Sequence, residues 1–177
     1  MVFSVPRDFR YGVLRALRDE DVDGMLEWMH DPEIAKVFSQ DFLSVDKRKA
    51  LAFIESSHNA SDSMHFAISG DDDEYLGTVS LKGIGGVAGA AEYAIATRRH
   101  AHGTGIAMKA TFDLLRIAFE RLRLDTVYLY VRETNSRAIA FYRKVGFLPS
   151  PAYSGVAGED YLWFSFHKTT FSSRFSQ

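Results

Sequence analysis

The sequence predicts an α/β fold on a single mixed, mostly antiparallel sheet flanked by helices. Three patterns carry that reading. The runs Met64–Ser69 and Tyr75–Leu81 flank Asp71-Asp72-Asp73 and read as a hairpin. A helical period from Thr104 to Leu122, with Phe112, Leu115, Phe119 and Leu122 on one face, separates two strand-like runs and makes a strand–helix–strand crossover. The second of those runs, Thr126 to Val131, alternates strictly, with Val127, Leu129 and Val131 on one side and Tyr128 and Tyr130 on the other.

In chain order, Arg10–Leu17 alternates enough for a first strand. Asp19 is placed to N-cap a helix with acids in its first turn, ending near His30 where Asp31-Pro32 breaks it. A second helix is expected from about Asp46 to Ser57, with Leu51 and Ile54 on one face. The hairpin follows, then a loose glycine-rich connection from Gly83 to Gly89, then a fourth strand at Glu92–Thr97. After the crossover, Asn135 starts a short helix through Lys144 that Gly146 caps, and Tyr161–Phe166 forms the last strand. The Ser- and Phe-containing tail from Thr169 is expected to be loose. No repeat or linker divides the chain, so one domain spans residues 1–177 with its core at about 10–168.

Composition narrows the chemistry. Hydrophobic residues make up 46% of 177, enough for a core without staples, and cysteine is absent, which excludes disulfides, thiolate metal sites and a cysteine nucleophile. Arg7, Asp8, Arg10, Arg15 and Arg18 leave no apolar segment for a secretory signal, and the weakly polar stretch Gly83–Ala91 is too short to span a bilayer. A cytoplasmic protein without a membrane partner is expected, as monomer or homodimer. The net charge of −2 argues against general nucleic-acid binding. The charge is uneven: residues 98–123 carry a net +4, while residues 19–33 hold seven acids and no Lys or Arg. One block invites an anion and the other a cation, unless both are simply solvated helix faces.

Two segments carry chemistry. In Thr97-Arg98-Arg99-His100-Ala101-His102-Gly103-Thr104-Gly105-Ile106-Ala107, two glycines stand where the long helix begins. Glycines there let backbone N–H groups approach a ligand closely, and the helix start adds unsatisfied donors and partial positive charge, an arrangement suited to a pyrophosphate. No Gly-Lys-Ser/Thr follows, so it is not a nucleoside triphosphate loop. Gly83-Ile84-Gly85-Gly86-Val87-Ala88 matches a dinucleotide pattern only formally, because a strand follows it instead of a helix. The spacing His100-x-His102 lacks a carboxylate to complete a metal set, and no metal is expected. The second segment is Asn135-Ser136-Arg137-Ala138-Ile139-Ala140-Phe141-Tyr142-Arg143-Lys144-Val145-Gly146-Phe147.

Together these segments resemble the GNAT superfamily of N-acetyltransferases. That family's coenzyme loop reads Gln/Arg-x-x-Gly-x-Gly/Ala and its next helix Asn-x-x-Ala-x-x-Phe-Tyr-x-Lys-x-Gly-Phe. The resemblance covers about Leu14 to Phe166 and is firmest from Glu92 to Phe147. It implies the GNAT, or acyl-CoA N-acyltransferase, fold with acetyl-CoA as cosubstrate. The amides of Gly103, Thr104, Gly105, Ile106 and Ala107 would hold the pyrophosphate, and Ile95 and Thr97 would pair with the pantetheine arm between the fourth and fifth strands. Asn135 would hydrogen-bond that arm, and Tyr142 would point its hydroxyl at the sulfur. His100 stands where Gln or Arg is usual, so Arg98 or Arg99 would supply the missing charge, with His102 adding to it.

The chemistry agrees. An alkyl amine has a pKa near ~10.4, so only on the order of one in a thousand is free to attack at neutral pH. Glu92, among alanines on the fourth strand, is the candidate general base, with a water chain, a Glu paired to a neighbouring base or sugar of the substrate, or a plain strand-edge charge as the alternatives. Tyr142 is the candidate acid for the leaving thiolate, against a packed aromatic. Trp28 and Met29 read as core; Tyr128 and Tyr130 read as sheet packing or acceptor pocket. The opening segment, Leu14 to Ile34, resembles the branch that acetylates ribosomal-protein N-termini, amino-sugar nucleotides, aminoglycosides and polyamines. Its acidic block favours a small amine, an amino sugar or polyamine, over a protein N-terminus. A non-catalytic acetyl-CoA sensor is the rival of a different class.

Overall fold

A computed structural model describes residues 3–87, 89–153 and 158–175. The strands are β1 (Arg10–Tyr11), β2 (Leu14–Ala16), β3 (Met64–Ser69), β4 (Tyr75–Lys82), β5 (Ala90–Thr97), β6 (Thr126–Arg132), β7 (Leu148–Pro149) and β8 (Tyr161–His167). The helices are α1 (Val22–Met29), α2 (Pro32–Ala35), α3 (Lys47–Ser57), α4 (Ile106–Arg116), α5 (Ser136–Val145) and α6 (Lys168–Phe175). The strands form one sheet in the order β1-β2-β3-β4-β5-β6-β8-β7. Among the described residues only β5 and β6, the strands joined by α4, run parallel. Among them, too, no helix is long and apolar enough to cross a membrane.

Alternation along β5 sets the two faces. Ala91, Tyr93 and Ile95 pack into a core with Ala110, Leu114 and Leu115 of α4, Val145 of α5 and Phe171 of α6. On the other face, Ala96 joins Ala67 and Tyr75 beneath α1 and α3, where Trp28 and Met29 are core residues as expected. The indole of Trp28 donates to the Tyr75 hydroxyl at 2.9 Å, so a buried N–H is satisfied.

Several elements differ from expectation for identifiable reasons. The strand expected over Arg10–Leu17 is a tight hairpin, because Gly12 turns the chain at φ +55° against Asp113, whose carboxylate accepts the Val13 N–H at 2.9 Å. Asp19 does not cap α1. Residues Asp19–Asp21 form a 3₁₀ turn, and the Asp21 carboxylate takes both the Arg18 N–H and the buried Arg15 guanidinium, a stronger partner than a free helix end. The crossover helix starts at Ile106, since Gly105 has φ +84°, and it ends in a π turn over Ile117–Arg121. The glycine-rich connection leads through turns into β5; Ala88 lies outside the described residues.

The tail expected to be loose is helix α6, up to Phe175; residues 176–177 lie outside the described residues. Phe171 and Phe175 are four apart, share one face and land on Phe119 and Phe112, each at 5.3 Å between ring centroids. Arg174 donates to the Val145 carbonyl at 2.7 Å and so satisfies a group at the end of α5.

Candidate active site

The sheet opens at its centre. β5 and β6 face each other at three positions, Ala90–Thr126, Ala91–Val127 and Glu92–Tyr128. β5 then continues to Thr97 and β6 to Arg132 with no ladder between them, while β4 stays paired to β5 from Gly77 to Lys82. The β6-facing edge of β5 beyond Glu92, which includes Ile95 and Thr97, is therefore a free strand edge. An extended ligand carrying amides can pair with such an edge as an added strand.

The turn after β5 lies at the open end of this splay. Gly103 has φ +78° and Gly105 φ +84°, and a Cβ on either would meet nothing within 4 Å. Positive φ favours glycine, and the empty space leaves both backbones approachable. Among the described residues the N–H groups of Gly103 and Gly105 donate to no carbonyl. The first N–H groups of α4, from Ile106 and Ala107, point the same way as the helix start. Thr104 Oγ1 donates to the Ala101 carbonyl at 2.7 Å and pins the turn. The free N–H groups of Gly103 and Gly105, with no side chain above them and only a long 3.4 Å bond from the Ile106 N–H to Thr104 Oγ1 beside them, fit a pyrophosphate.

The basic residues of this turn are occupied elsewhere. Arg98, expected at the coenzyme, reaches Glu27 at 2.5 Å, Glu74 at 2.8 Å and the Tyr75 carbonyl at 3.1 Å. His100, standing at the family's Gln/Arg position, meets Glu74 at 3.1 Å. Arg99 grips both oxygens of Asp31. The acidic block is likewise paired, with Asp21 on Arg15, Asp23 on Lys47 and Glu33 on Lys36. Two pairs, Arg98–Glu27 and Arg99–Asp31, join the basic and acidic blocks directly, so part of the charge set against an anion and a cation is spent between the blocks themselves. His102 has no such partner; burial and then the nearby Arg137 and Arg99 charges hold its pKa below the ordinary histidine value.

Helix α5 brings in two further expected residues. Asn135 is its N-cap, its side-chain oxygen accepting the Ala138 N–H at 3.2 Å, which leaves the amide NH₂ as a donor. Tyr142 lies edge-on to Tyr93 at 5.9 Å between ring centroids, with Phe147 also at 5.9 Å. Burial pushes its phenol well above the usual tyrosine value. Among the described residues its hydroxyl has no hydrogen-bond partner.

Glu92 occupies the opposite face, at the apex of the splay. Its carboxylate is 2.7 Å from the Lys82 ammonium on the neighbouring strand. The sequence allows a basic partner for Glu92 but does not identify Lys82, because that pairing exists only through the β4–β5 register. Beside Glu92 lies an aromatic cluster: Tyr128 stacks on Tyr153 at 4.6 Å, and Trp163 packs 5.1 Å from Tyr130. Burial raises the pKa of both Tyr128 and Tyr130, and the charge on Glu92 adds to it.

A cavity of about 670 Å³ lies between α2, the turn after β5, the end of β6 and the start of α5; Ile34, Arg99, His102, Arg132 and Asn135 line it.

A sheet that parts between two parallel strands onto an N–H-lined helix start is the architecture of an acyl-CoA-dependent acyltransferase. Comparison with known proteins narrows this: residues 13–148 match the Acetyltransferase (GNAT) domain, and the chain belongs to that family. It is an acetyltransferase whose cosubstrate is acetyl-CoA. Acetyltransferase PseH of Campylobacter jejuni is 21% identical over 128 residues, covering 72% of this chain and 77% of that protein. Spermidine N-acetyltransferase from Vibrio cholerae, solved in complex with CoA and spermine, superposes with a TM-score of 0.77 at 19% identity, over 89% of this chain and 96% of the other. A GNAT-family acetyltransferase from Bacillus anthracis superposes with a TM-score of 0.74 at 14% identity, over 88% and 94%.

Proposed function

We propose that this protein acetylates the primary amine of a small molecule by direct transfer in a ternary complex, with Glu92 as general base and Tyr142 as general acid. The observation that supports the reading is their placement on opposite faces of the sheet where β5 and β6 part. Glu92 is in the last facing pair before the strands part, and Tyr142 packs on Tyr93, the next residue, from the other face.

Acetyl-CoA supplies a thioester carbonyl activated for attack by nitrogen. The backbone N–H groups from Gly103 to Ala107 hold its pyrophosphate, the open edge at Ile95 and Thr97 holds the pantetheine arm as an added strand, and the Asn135 amide NH₂ donates to that arm. Arg98 and His100 serve instead to join the turn to α1 and β4. The aromatic cluster of Tyr128, Tyr130 and Trp163 receives the alkylammonium, where ring faces are worth about 0.5–2 kcal/mol to a cation. Glu92 takes the proton, directly or through a water, that must leave before the nitrogen lone pair can bond to the carbonyl carbon. Tyr142 gives a proton to the sulfur as the C–S bond breaks, the second nitrogen proton leaves as the amide forms and restores the phenol through solvent, and the raised pKa of the buried phenol keeps its proton in place beforehand. Lys82 keeps Glu92 oriented across the strand.

The likeness to a spermidine acetyltransferase and the aromatic cluster beside Glu92 support a small amine as acceptor. An acceptor screen with acetyl-CoA and thiol detection tests the reading. Release of thiol with a small amine is the expected result. Acetyl-CoA binding without release on any amine would instead describe a sensor, and a preference for peptide N-termini over every small amine would displace the acceptor assignment.

A further inference from the structure

Arg132, at the end of β6, has a buried Nε–H that donates to nothing among the described residues. Its guanidinium lies 5.0 Å from the centre of the Tyr161 ring. That Nε–H is itself closed off, but Arg132 lines the cavity, so a ligand there would meet its charge. The cavity's charge agrees. Lys36, Arg99, Arg132 and Arg137 line it against a single acid, Glu33. Lys36 pairs with Glu33 and Arg99 with Asp31, whereas neither Arg132 nor Arg137 has an acidic partner among the described residues. Burial lowers the pKa of His102 most, and the charges of Arg137 and Arg99 lower it further.

The side of the sheet decides whose anion this is. Arg132 alternates with Tyr128 and Tyr130, and so belongs to the face that carries Glu92 and the aromatic cluster, under α2. The donors assigned to the coenzyme pyrophosphate open the helix that packs on the other face. Arg132 is four residues beyond Tyr128 on an extended strand, a span of about 13 Å that the arginine side chain can shorten by reaching back. We propose that the cavity binds a phosphate or carboxylate carried by the acceptor itself, so that the acceptor is a small primary amine with an anionic group within about 10 Å of its nitrogen. This rests on the acetyltransfer reading above for the word acceptor, but the anion site can be tested without turnover.

Calorimetry of inorganic pyrophosphate into the CoA-saturated protein is the first arm. Binding is expected in the wild type and at least about ten-fold weaker binding in Arg132→Gln, as befits loss of a charge-assisted contact. Thermal unfolding checks that variant, and Arg137→Gln, at an exposed position on α5, replaces it if the fold suffers. Pyrophosphate binding only to the coenzyme-free protein would assign the cations to the coenzyme and overturn the proposal; so would equal binding by both variants and wild type. The second arm compares glucosamine with glucosamine 6-phosphate by thiol release. A kcat/KM at least about ten-fold higher for the phosphorylated sugar, falling towards parity in Arg132→Gln, is expected. A wild-type preference for the uncharged sugar would overturn the proposal. Pyrophosphate binding to the CoA-saturated protein with no thiol release on any amine supports the anion site and counts against the acetyltransfer reading alone.

Discussion

The ring of Tyr142 stands perpendicular to that of Tyr93, with centroids 5.9 Å apart, so the α5 phenol is fixed against the strand residue that follows Glu92. An edge-to-face pair of this kind positions a ring without using its hydroxyl. Tyr142→Phe keeps the packing and removes only the proton donor. Turnover of the chemical step should fall by ~10²–10⁴-fold while acetyl-CoA affinity stays within about two-fold. Single-turnover kinetics beside calorimetry make the check; turnover within about two-fold of wild type would leave Tyr142 a packing residue and water the acid.

Glu92→Gln keeps the shape of the side chain and removes its basicity. Activity should drop most at low and neutral pH and recover as pH rises, because the amine then loses its proton without help. The partner left behind, Lys82, is 39% exposed and can be solvated, so the fold should hold. A kcat/KM profile parallel to wild type across the range would remove Glu92 as the base.

Gly103→Asp tests the pyrophosphate site. A Cβ added there meets no protein atom within 4 Å, so the main cost to folding is the positive φ of +78°. A carboxylate about 4 Å from a pyrophosphate costs roughly 4 kcal/mol at an effective dielectric near 20, so acetyl-CoA affinity should fall by more than about 100-fold. A well-folded variant with unchanged affinity would move the coenzyme phosphates elsewhere.

His65 gives the stability a pH dependence. Its ring accepts or donates a 2.7 Å bond with Ser80 Oγ, and burial, then the Lys82 charge, lowers its pKa from 6.5 to about 4. Above pH 6.5 neither the folded nor the unfolded histidine is protonated and the linkage is silent. As pH falls from 6.5 towards 4, the unfolded chain binds a proton that the folded one refuses, and stability is lost through that window. His65→Asn should flatten the decline over this range in urea denaturation series, with carboxylates dominating below it. An unchanged slope would show that His65 titrates normally in the folded protein.

Much of this protein can be read from residue order alone, because much of it is local chemistry. The runs Met64–Ser69 and Thr126–Val131 carry their own strand signals, and the glycines before α4 mark a helix start that can take an anion whatever surrounds it. The Asn135–Phe147 segment names its family because an N-cap, an aromatic pair and a C-terminal glycine recur at helical spacing. The core roles of Trp28 and Met29 follow from periodicity in the same way. What residue order could not determine is which distant charges meet. Arg98 looks like a coenzyme ligand until α1 and β4 fold against the turn and place Glu27 and Glu74 beside it. Glu92 has no identified partner until strand register sets Lys82 2.7 Å away. The Ser-rich tail looks loose until Phe171 and Phe175 find Phe119 and Phe112. Arg132 is one arginine among many until the parting of β5 and β6 places it at a cavity wall. Charge pairing and aromatic packing act through space at a few ångströms, so residues tens of positions apart acquire their roles only when tertiary structure brings them together.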